Sequence, residues 1–372
     1  MNPARPRAAS MDLGLLTTVL VLLGLGLVMI YSASSVEAMA MFHRPYYYLE
    51  RQLIWAVLGV GGLVVASRID YWRWTRLAWP LGALTLVLLV AVLVPHVGIN
   101  INGARRWIGF GPLSFQPSEL SKFTVVLLFA ATLTRRQWPV ERFYPTVVAH
   151  LGALAVVFAL ILKEPDLGTA LALGLTVFVM LWVAGARTAH LLGLALLAVP
   201  VILVLIVTEP YRLQRLLAFL HPWKNPLGSG YHIIQSLYAL GSGGLFGSGI
   251  GRSALKFFYL PEQHTDFIFA ILGEEIGLVG TTAVVVLFFI FAWRGLRISL
   301  QAPDRFGVVL GVGLTTMVVA QAFMNIGVVT ASIPITGIPL PFLSYGGSSL
   351  VFALTAIGIL LNLSRQGARA RS

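Results

Sequence analysis

The sequence predicts an all-α polytopic integral membrane protein of about ten transmembrane helices with one large extracytoplasmic loop. Three observations lead there. The chain is 58% hydrophobic and 11% charged over 372 residues. Soluble domains carry about 25% charged residues, and a protein this apolar cannot cover its surface with polar groups. The apolar residues fall in long runs, such as Leu13 to Ile30 and Leu77 to Val94. A run of about twenty residues, rising about 1.5 Å each, crosses the roughly 30 Å of hydrocarbon in a bilayer. Lys and Arg are dense in alternate gaps between the runs, as membrane topology requires.

The runs lie at 12–33, 47–67, 76–95, 117–134, 144–163, 167–185, 188–208, 267–293, 306–331 and 346–364. Lipid offers backbone N–H and C=O groups no partner, so each run must satisfy its own as a helix. The first follows Arg5 and Arg7 and is too long for the apolar part of a cleaved signal peptide. It reads as an uncleaved signal anchor. With residues 1–11 cytoplasmic, fifteen of the 26 Lys and Arg residues fall on the cytoplasmic side and six on outward short loops and helix ends. The rest lie in one long outward loop, which does not count in the rule. An even number of spans returns the tail, 365–372, to the cytoplasm. Of the 14 acids, Asp12, Asp70, Glu141 and Asp304 are cytoplasmic and the others face outward. Chemistry is therefore expected at the outer face of the membrane. The lack of cysteine excludes disulfides and Cys-metal sites. Topology accounts for the net charge of +12, so no nucleic-acid partner is inferred.

Residues 209–266 form the longest non-membrane stretch. Tyr211–Leu220 and Tyr231–Leu240 read as short helices with apolar faces, separated by Pro222, Asn225-Pro226 and Gly228–Gly230. Gly241–Gly251 then holds six glycines in eleven residues. No internal repeat and no second soluble domain is visible, so 1–372 reads as a single transmembrane domain.

Asp266 closes this loop in Leu260-Pro261-Glu262-Gln263-His264-Thr265-Asp266-Phe267, where water meets the eighth helix. Two roles suit an acid there. It can cap the helix N-terminus, or act as a general base, open to the outside and backed by an apolar helix that raises its pKa. Glu262 and His264 stand nearby, at a spacing that is no metal signature. Glu119 and Lys122 lie at i,i+3 behind Pro117, which suits the first turn of the fourth helix. An unpaired charge in the membrane is expensive, so they should pair, either as a structural ion pair or as the lining of a polar cavity. Lys163, Glu164 and Asp166 mark a tight, charged outward turn. Glu274 and Glu275 lie about two turns into the eighth helix, pointing about 100° apart. At least one of them needs a buried partner or a proton.

Arg105 and Arg106 beside Trp107 suit either a membrane-interface anchor or a phosphate and sugar contact. Arg212, Arg215, Lys224, Arg252 and Lys256 make the long loop basic, amid Tyr231, Tyr238, Phe257, Phe258 and Tyr259. That suits adsorption to anionic lipid, or a pyrophosphate site assisted by glycine-rich backbone N–H groups. Pro334, Pro339 and Pro341 forbid a regular helix between the last two spans. Irregular apolar backbone at this depth suggests a re-entrant segment packed on protein or lining a cavity.

Together, Tyr31–Ser35, Asn102–Ile108, Gln116–Lys122, Glu164–Thr169, Gln235–Gly251, Leu260–Gly280 and Thr336–Ser349 resemble, in the same order, the motifs of the SEDS family (shape, elongation, division and sporulation). Its best-known members are FtsW, RodA and SpoVE. The resemblance spans nearly the whole chain. It implies a peptidoglycan glycosyltransferase whose donor and acceptor are both lipid II, a lipid-linked disaccharide-pentapeptide, with undecaprenyl pyrophosphate leaving. Asp266 falls on the family's essential acid, and Trp107, Glu119 and Lys122 match positions of importance. RodA-like members carry an insertion before Leu260-Pro261-Glu262 that is absent here. With Tyr31–Ser35 and Thr336–Ser349, this favours the FtsW and SpoVE branch and a role in division or sporulation. The implied partners are a single-span class B penicillin-binding protein, a transpeptidase, and other division or sporulation membrane proteins.

The chemistry agrees with that expectation. Attack by an acceptor hydroxyl needs a base, and a leaving pyrophosphate needs cations. Asp266 would take the proton from the 4-hydroxyl, a contribution on the order of 10²–10⁴-fold. Substrate contacts are expected from Arg105, Arg106, Trp107, Glu119, Lys122, Lys163, Asp166, Arg212, Arg215, Lys256, Glu262, His264 and Ser344. A divalent cation, Mg²⁺ or Mn²⁺, would assist at the pyrophosphate, with no organic cofactor. Two rival functions are distinguishable. A lipid II flippase needs ionisable groups at mid-membrane and broken helices. A non-catalytic scaffold for a transpeptidase leaves the outward concentration of charge unexplained.

Overall fold

A computed structural model describes residues 11–101, 103–110, 113–135, 147–254, 256 and 260–369. Of the positions named above, Arg5, Arg7, Asn102, Glu141, Phe257, Phe258 and Tyr259 lie outside the described residues. The expected helical runs are helices: α1 Leu13–Phe42, α2 Tyr47–Arg68, α3 Arg73–Leu93, α4 Pro117–Leu133, α5 Val148–Lys163, α6 Leu167–Val183 and α7 Thr188–Val207. The two short loop helices follow, α8 Pro210–Leu220 and α9 Tyr231–Ser242, then α10 Ile268–Leu300, α11 Arg305–Val329 and α12 Gly347–Arg369. Among the described residues, 7 helices are long and apolar enough to cross a membrane: α1, α2, α3, α7, α10, α11 and α12. Helices α5 and α6 are apolar but shorter. Helix α4 has 17 residues and carries the Glu119–Lys122 pair.

Local chemistry sets the helix starts. Asp12, Asp166 and Asp304 are N-caps, accepting from Leu15 N at 2.8 Å, Thr169 N at 3.0 Å and Gly307 N at 2.8 Å. Pro117 opens α4, where its missing N–H costs nothing. Helix α1 runs well past its expected end at residue 33, to a left-handed His43. Helices α11 and α12 form the centre, with 78% and 72% of their apolar windows buried, against 6% for α7, whose side chains face outward nearly all round. Helix α12 packs along α2, α10 along α11, α3 along α4, and α11 along α6.

Two features go beyond the helical expectation. Residues between α3 and α4 form a small antiparallel sheet in the order β1-β2-β3, with β1 Gly98–Ile101, β2 Ala104–Phe110 and β3 Leu113–Phe115. The second feature is a break in α10. Gly277 adopts φ 73°, and a Cβ there would lie 2.4 Å from Gly247 N. The glycine-rich segment after α9, expected to be an outward loop, fills the break. Ser248 N and Gly249 N donate to Glu274 O and Glu275 O, each at 2.9 Å, while Leu278 N and Val279 N donate to Gly244 O and Leu245 O at 2.9 and 3.1 Å. Backbone groups that neither segment could satisfy alone are thus exchanged between them.

The same contact answers what the two glutamates do. Glu275 accepts from Ser32 Oγ at 2.6 Å and has Lys256 Nζ at 4.0 Å. Glu274 accepts from Ala254 N at 2.8 Å and from the Ser253 hydroxyl. They anchor the segment that leads to Asp266. Between α11 and α12 the proline-rich stretch is irregular, with Ile338, Leu340, Phe342 and Leu343 buried, so it packs on protein as expected.

The orientation is open to direct test. Tags at Pro3 and Ala370, both beyond the described residues, should report cytoplasmic, and a tag near Gly228 should report outside. A C-terminal tag reporting from outside would contradict the count of spans.

Candidate active site

Asp266 is held by its backbone. The carbonyls of three successive residues are each pinned: His264 O accepts from Tyr345 N at 2.9 Å, Thr265 O from Ser344 Oγ at 2.6 Å, and Asp266 O from Asn325 Nδ2 at 2.7 Å. The N-cap position of α10 belongs to Phe267, with no side-chain capping bond, so Asp266 is not the cap. Its carboxylate instead borders Gly337, where a Cβ would lie 3.5 Å from Asp266 Oδ2 and 3.8 Å from Arg215 Nη1. Acid and cation thus flank one bare glycine, whose φ of 72° few other residues tolerate.

Asp266 is half-buried. Burial, with Glu262 beside it, pushes its pKa up to about 7, against the pull of Arg215 and Arg106. Arg215 comes from α8, donates to Ile335 O at 3.2 Å and lies 4.3 Å over the Tyr211 ring. Its burial lowers its pKa, while Tyr211, Asp266 and Asp166 favour its charge against the like charge of Arg106. Arg106 reaches from β2 to the turn between α5 and α6, donating to Glu164 O at 2.8 Å and to Pro165 O. On that turn Asp166 accepts from Thr169 Oγ1 at 2.8 Å and from Gln116 Nε2 at 3.4 Å. Glu164 is fully buried, and burial with Asp166 nearby lifts it to about 9, so it is neutral at pH 7. Asp266, Glu262, Arg215, Arg106 and Asp166 therefore form one electrostatic group drawn from separate parts of the chain.

Other expected contacts lie elsewhere. The Lys256 ammonium is taken up by Gly251 O and the Glu275 carboxylate, and Arg212 donates to Leu205 O at 2.9 Å and Leu162 O at 3.3 Å. Both are buried and held by protein partners, where a substrate contact was expected from the sequence. His264 Nδ1 lies 3.3 Å from Glu37 Oε2, with its ring 4.3 Å from that of Tyr48, so it braces the loop against α1 and α2. The Ser344 hydroxyl is spent on Thr265 O. Lys163 is exposed, and Arg105 and Trp107 are half-buried on β2, opposite Asn100 and Ile99. Among the described residues no group of three or more His, Asp or Glu is placed to hold a metal ion. The divalent cation expected from the sequence thus has no evident ligand set among the described residues.

Glu119 and Lys122 pair at 2.8 Å, both buried. Lys122 Nζ also donates to Gln321 Oε1 at 2.5 Å. With Met317, Pro341, Ser349 and Phe352 they line a cavity of about 10 Å³, room for one water. The pair thus does line a polar cavity, but a far smaller one than a lipid-linked sugar needs. Sequence reasoning missed Gln321, Asn325, Glu37 and the site role of Gly337. The first two were detectable as buried amides at i,i+4 in an otherwise apolar helix, which is itself a signal in a membrane protein.

The fold and this site define a polytopic helical membrane protein with a polar, acid-and-arginine site at one end of the bundle. The chain belongs to the FtsW/RodA/SpoVE family, whose model, described as "Cell cycle protein", matches residues 13–369. It is 47% identical over 359 residues to stage V sporulation protein E of Bacillus subtilis, covering 96% of this chain and 98% of that one. It is 44% identical over 358 residues to the probable peptidoglycan glycosyltransferase FtsW of Trichlorobacter lovleyi, covering 96% and 94%. Among solved structures it resembles a chain from the work "Structural coordination of polymerization and crosslinking by a peptidoglycan synthase complex", with TM-score 0.79, 32% identity and coverage of 96% and 98%. It also resembles the rod shape determining protein RodA of Thermus thermophilus, with TM-score 0.70, 32% identity and coverage of 96% and 97%.

The buried pair makes a prediction. Removing one partner strands the other's charge, at a cost of about 3–5 kcal/mol. Glu119→Ala and Lys122→Ala should each lower stability or activity by more than half the effect of the double variant. A double-mutant cycle with strictly additive effects would show that the two charges are not coupled.

Proposed function

We propose that this chain is a peptidoglycan glycosyltransferase that polymerises lipid II into glycan strands at the outer face of the cytoplasmic membrane, for division or sporulation, with both termini cytoplasmic. The relatives named as glycosyltransferase FtsW and as a sporulation protein support the activity and the setting. The observation that carries the mechanism is Asp266, half-buried, its pKa raised to about 7, and sharing the edge of Gly337 with Arg215.

A base with a pKa near the working pH combines a useful ionised fraction with useful proton affinity. Asp266 removes the proton of the acceptor sugar's 4-hydroxyl as that oxygen bonds to the anomeric carbon of the donor. The bond from that carbon to the pyrophosphate oxygen breaks, and undecaprenyl pyrophosphate leaves with the electron pair. Arg215, with Arg106 behind it, supplies the positive charge that this leaving group needs. The break in α10, which a flippase reading would use, is filled by the docked glycine-rich segment, and the two glutamates are held by Ser32, Ser253 and Ala254. The expected Mg²⁺ or Mn²⁺ would supply further charge at the pyrophosphate, and no residue set here is assigned to hold it.

The partner we propose is a single-span class B penicillin-binding protein, within a set of division or sporulation membrane proteins. A solved relative comes from a complex that couples polymerization to crosslinking, which supports such a pairing. Co-purification from native membranes should recover a transpeptidase of this class, and consistent recovery of the chain without one would refute the complex.

Asp266→Asn keeps the size of the side chain and removes the base. The purified variant should polymerise lipid II at least about 10²-fold more slowly. In the parent, the rate should fall about tenfold per pH unit below about 7, as Asp266 gains a proton. The stability effect has the opposite sign. A carboxyl with a raised folded-state pKa destabilises the fold as pH rises from its ordinary value, about 3.9, toward 7. At pH above 7 the Asn variant should therefore melt no lower than the parent. Near-parental polymerisation by the well-folded variant would move the base to Glu262 or Asp166.

A further inference from the structure

Helix α11 holds two buried amide side chains one turn apart, Gln321 and Asn325, both almost fully inaccessible. Asn325 Nδ2 donates to Asp266 O at 2.7 Å and to Ile338 O at 2.8 Å. Both of its N–H groups are thereby used. Its Oδ1 accepts nothing among the described residues. Gln321 Nε2 donates to Pro339 O at 2.9 Å and Ser349 Oγ at 3.2 Å, while its Oε1 accepts from Lys122. The two amides therefore hold consecutive carbonyls of the proline-rich segment, and one of them also holds the carbonyl of Asp266. Ile338 directly follows Gly337, the residue at the mouth between Asp266 and Arg215. One side chain thus ties the two strips of backbone that face each other across the site.

Buried amides are costly in a membrane helix unless their hydrogen bonds matter. Lys122 already has Glu119 as its counter-ion, so charge balance does not require Gln321. What the pair accomplishes is geometric. Among the described residues, the other hydrogen bonds between the loop ending at Asp266 and the proline-rich segment come from Ser344 and Tyr345, further along that segment.

We propose that Asn325, supported by Gln321 and through it by the Lys122–Glu119 pair, is a positioning residue that fixes Asp266 at its working distance from the acceptor hydroxyl. This rests on Asp266 being the base. Asn325 touches no substrate, so its loss lowers kcat and leaves KM for lipid II in place. Misplacing a reacting group by about 1 Å costs on the order of 10²-fold. A loosened loop also admits water around the carboxylate. Relief of burial, the largest cause of its raised pKa, outweighs the screening of Glu262 and Asp166 against Arg215 and Arg106, and the acid limb of the rate profile moves to lower pH.

The test is Asn325→Leu, which keeps the branched shape and removes both donors. Purified protein polymerising lipid II across a pH series should show kcat lower by about 10- to 100-fold, unchanged KM, and an acid limb displaced below that of the parent. Asn325→Ser, which keeps a shorter donor, should recover part of the rate, and it carries the same test if the Leu variant does not fold. Asp266→Asn is measured in parallel. If it stays active, the assignment of the base fails, whatever Asn325 does. If it is inactive while the Asn325 variants keep the parent's kcat and pH limb, or lose activity through KM alone, the positioning role is overturned.

Discussion

Backbone that is not helical must still find its hydrogen bonds inside the bundle, and most of the architecture around the site follows from that constraint. Two stretches break the helical rule. The glycine-rich segment inserts at the interruption of α10 and exchanges four backbone hydrogen bonds with it. The proline-rich segment pairs with itself at one turn, where Leu343 N and Ser344 N donate to Leu340 O, and side chains of α11 and α2 serve other groups along it. Gln321 and Asn325 hold its carbonyls, and Gln52 donates to Ser344 O at 3.3 Å and accepts from Gly346 N at 3.3 Å. Because both stretches are fastened to the central helices, the loop between them can be rigid at the point where Asp266 emerges.

Charge is handled by the same economy. Several ions here have designated counterparts: Glu119 with Lys122 and Glu275 with Lys256, both pairs buried, and the half-buried Asp12 with Arg294 at 3.0 Å. Asp266 stands apart. Among the described residues no side-chain cap or short ion pair claims its carboxylate, and its cations stand close enough to act on it. A carboxyl left in that condition has a raised proton affinity and an open face, which is what a proton acceptor for an incoming alcohol requires.

Much of this was legible in the sequence, for physical reasons. A hydrocarbon layer of fixed thickness turns apolar run length into helix count, so the helical runs appear where expected, though α1 and α10 continue past their apolar cores into wetter ends. Pro117, Asp166 and the i,i+3 spacing of Glu119 and Lys122 carry local signals that survive folding. The β1–β3 sheet did not show, because strands this short have no periodicity to read. Nor did the sequence separate Arg215, which faces Asp266, from Arg212 and Lys256, which do not. One helical turn or one loop bend decides that, and composition records neither. The capping role for Asp266 failed by a single residue, within the usual uncertainty of helix ends.

The three pinned carbonyls at His264, Thr265 and Asp266 have a consequence of another kind. Because the anchoring uses main chain, the frame and the reagent are independent parts. The identity of the side chain at position 266 can change while the path of the chain around it stays the same. A protein built this way can be silenced by chemistry alone, and its silent form remains a faithful cast of the working one. On the role proposed for Asp266, such a form still holds both lipid-linked sugars, stalled at the moment before transfer.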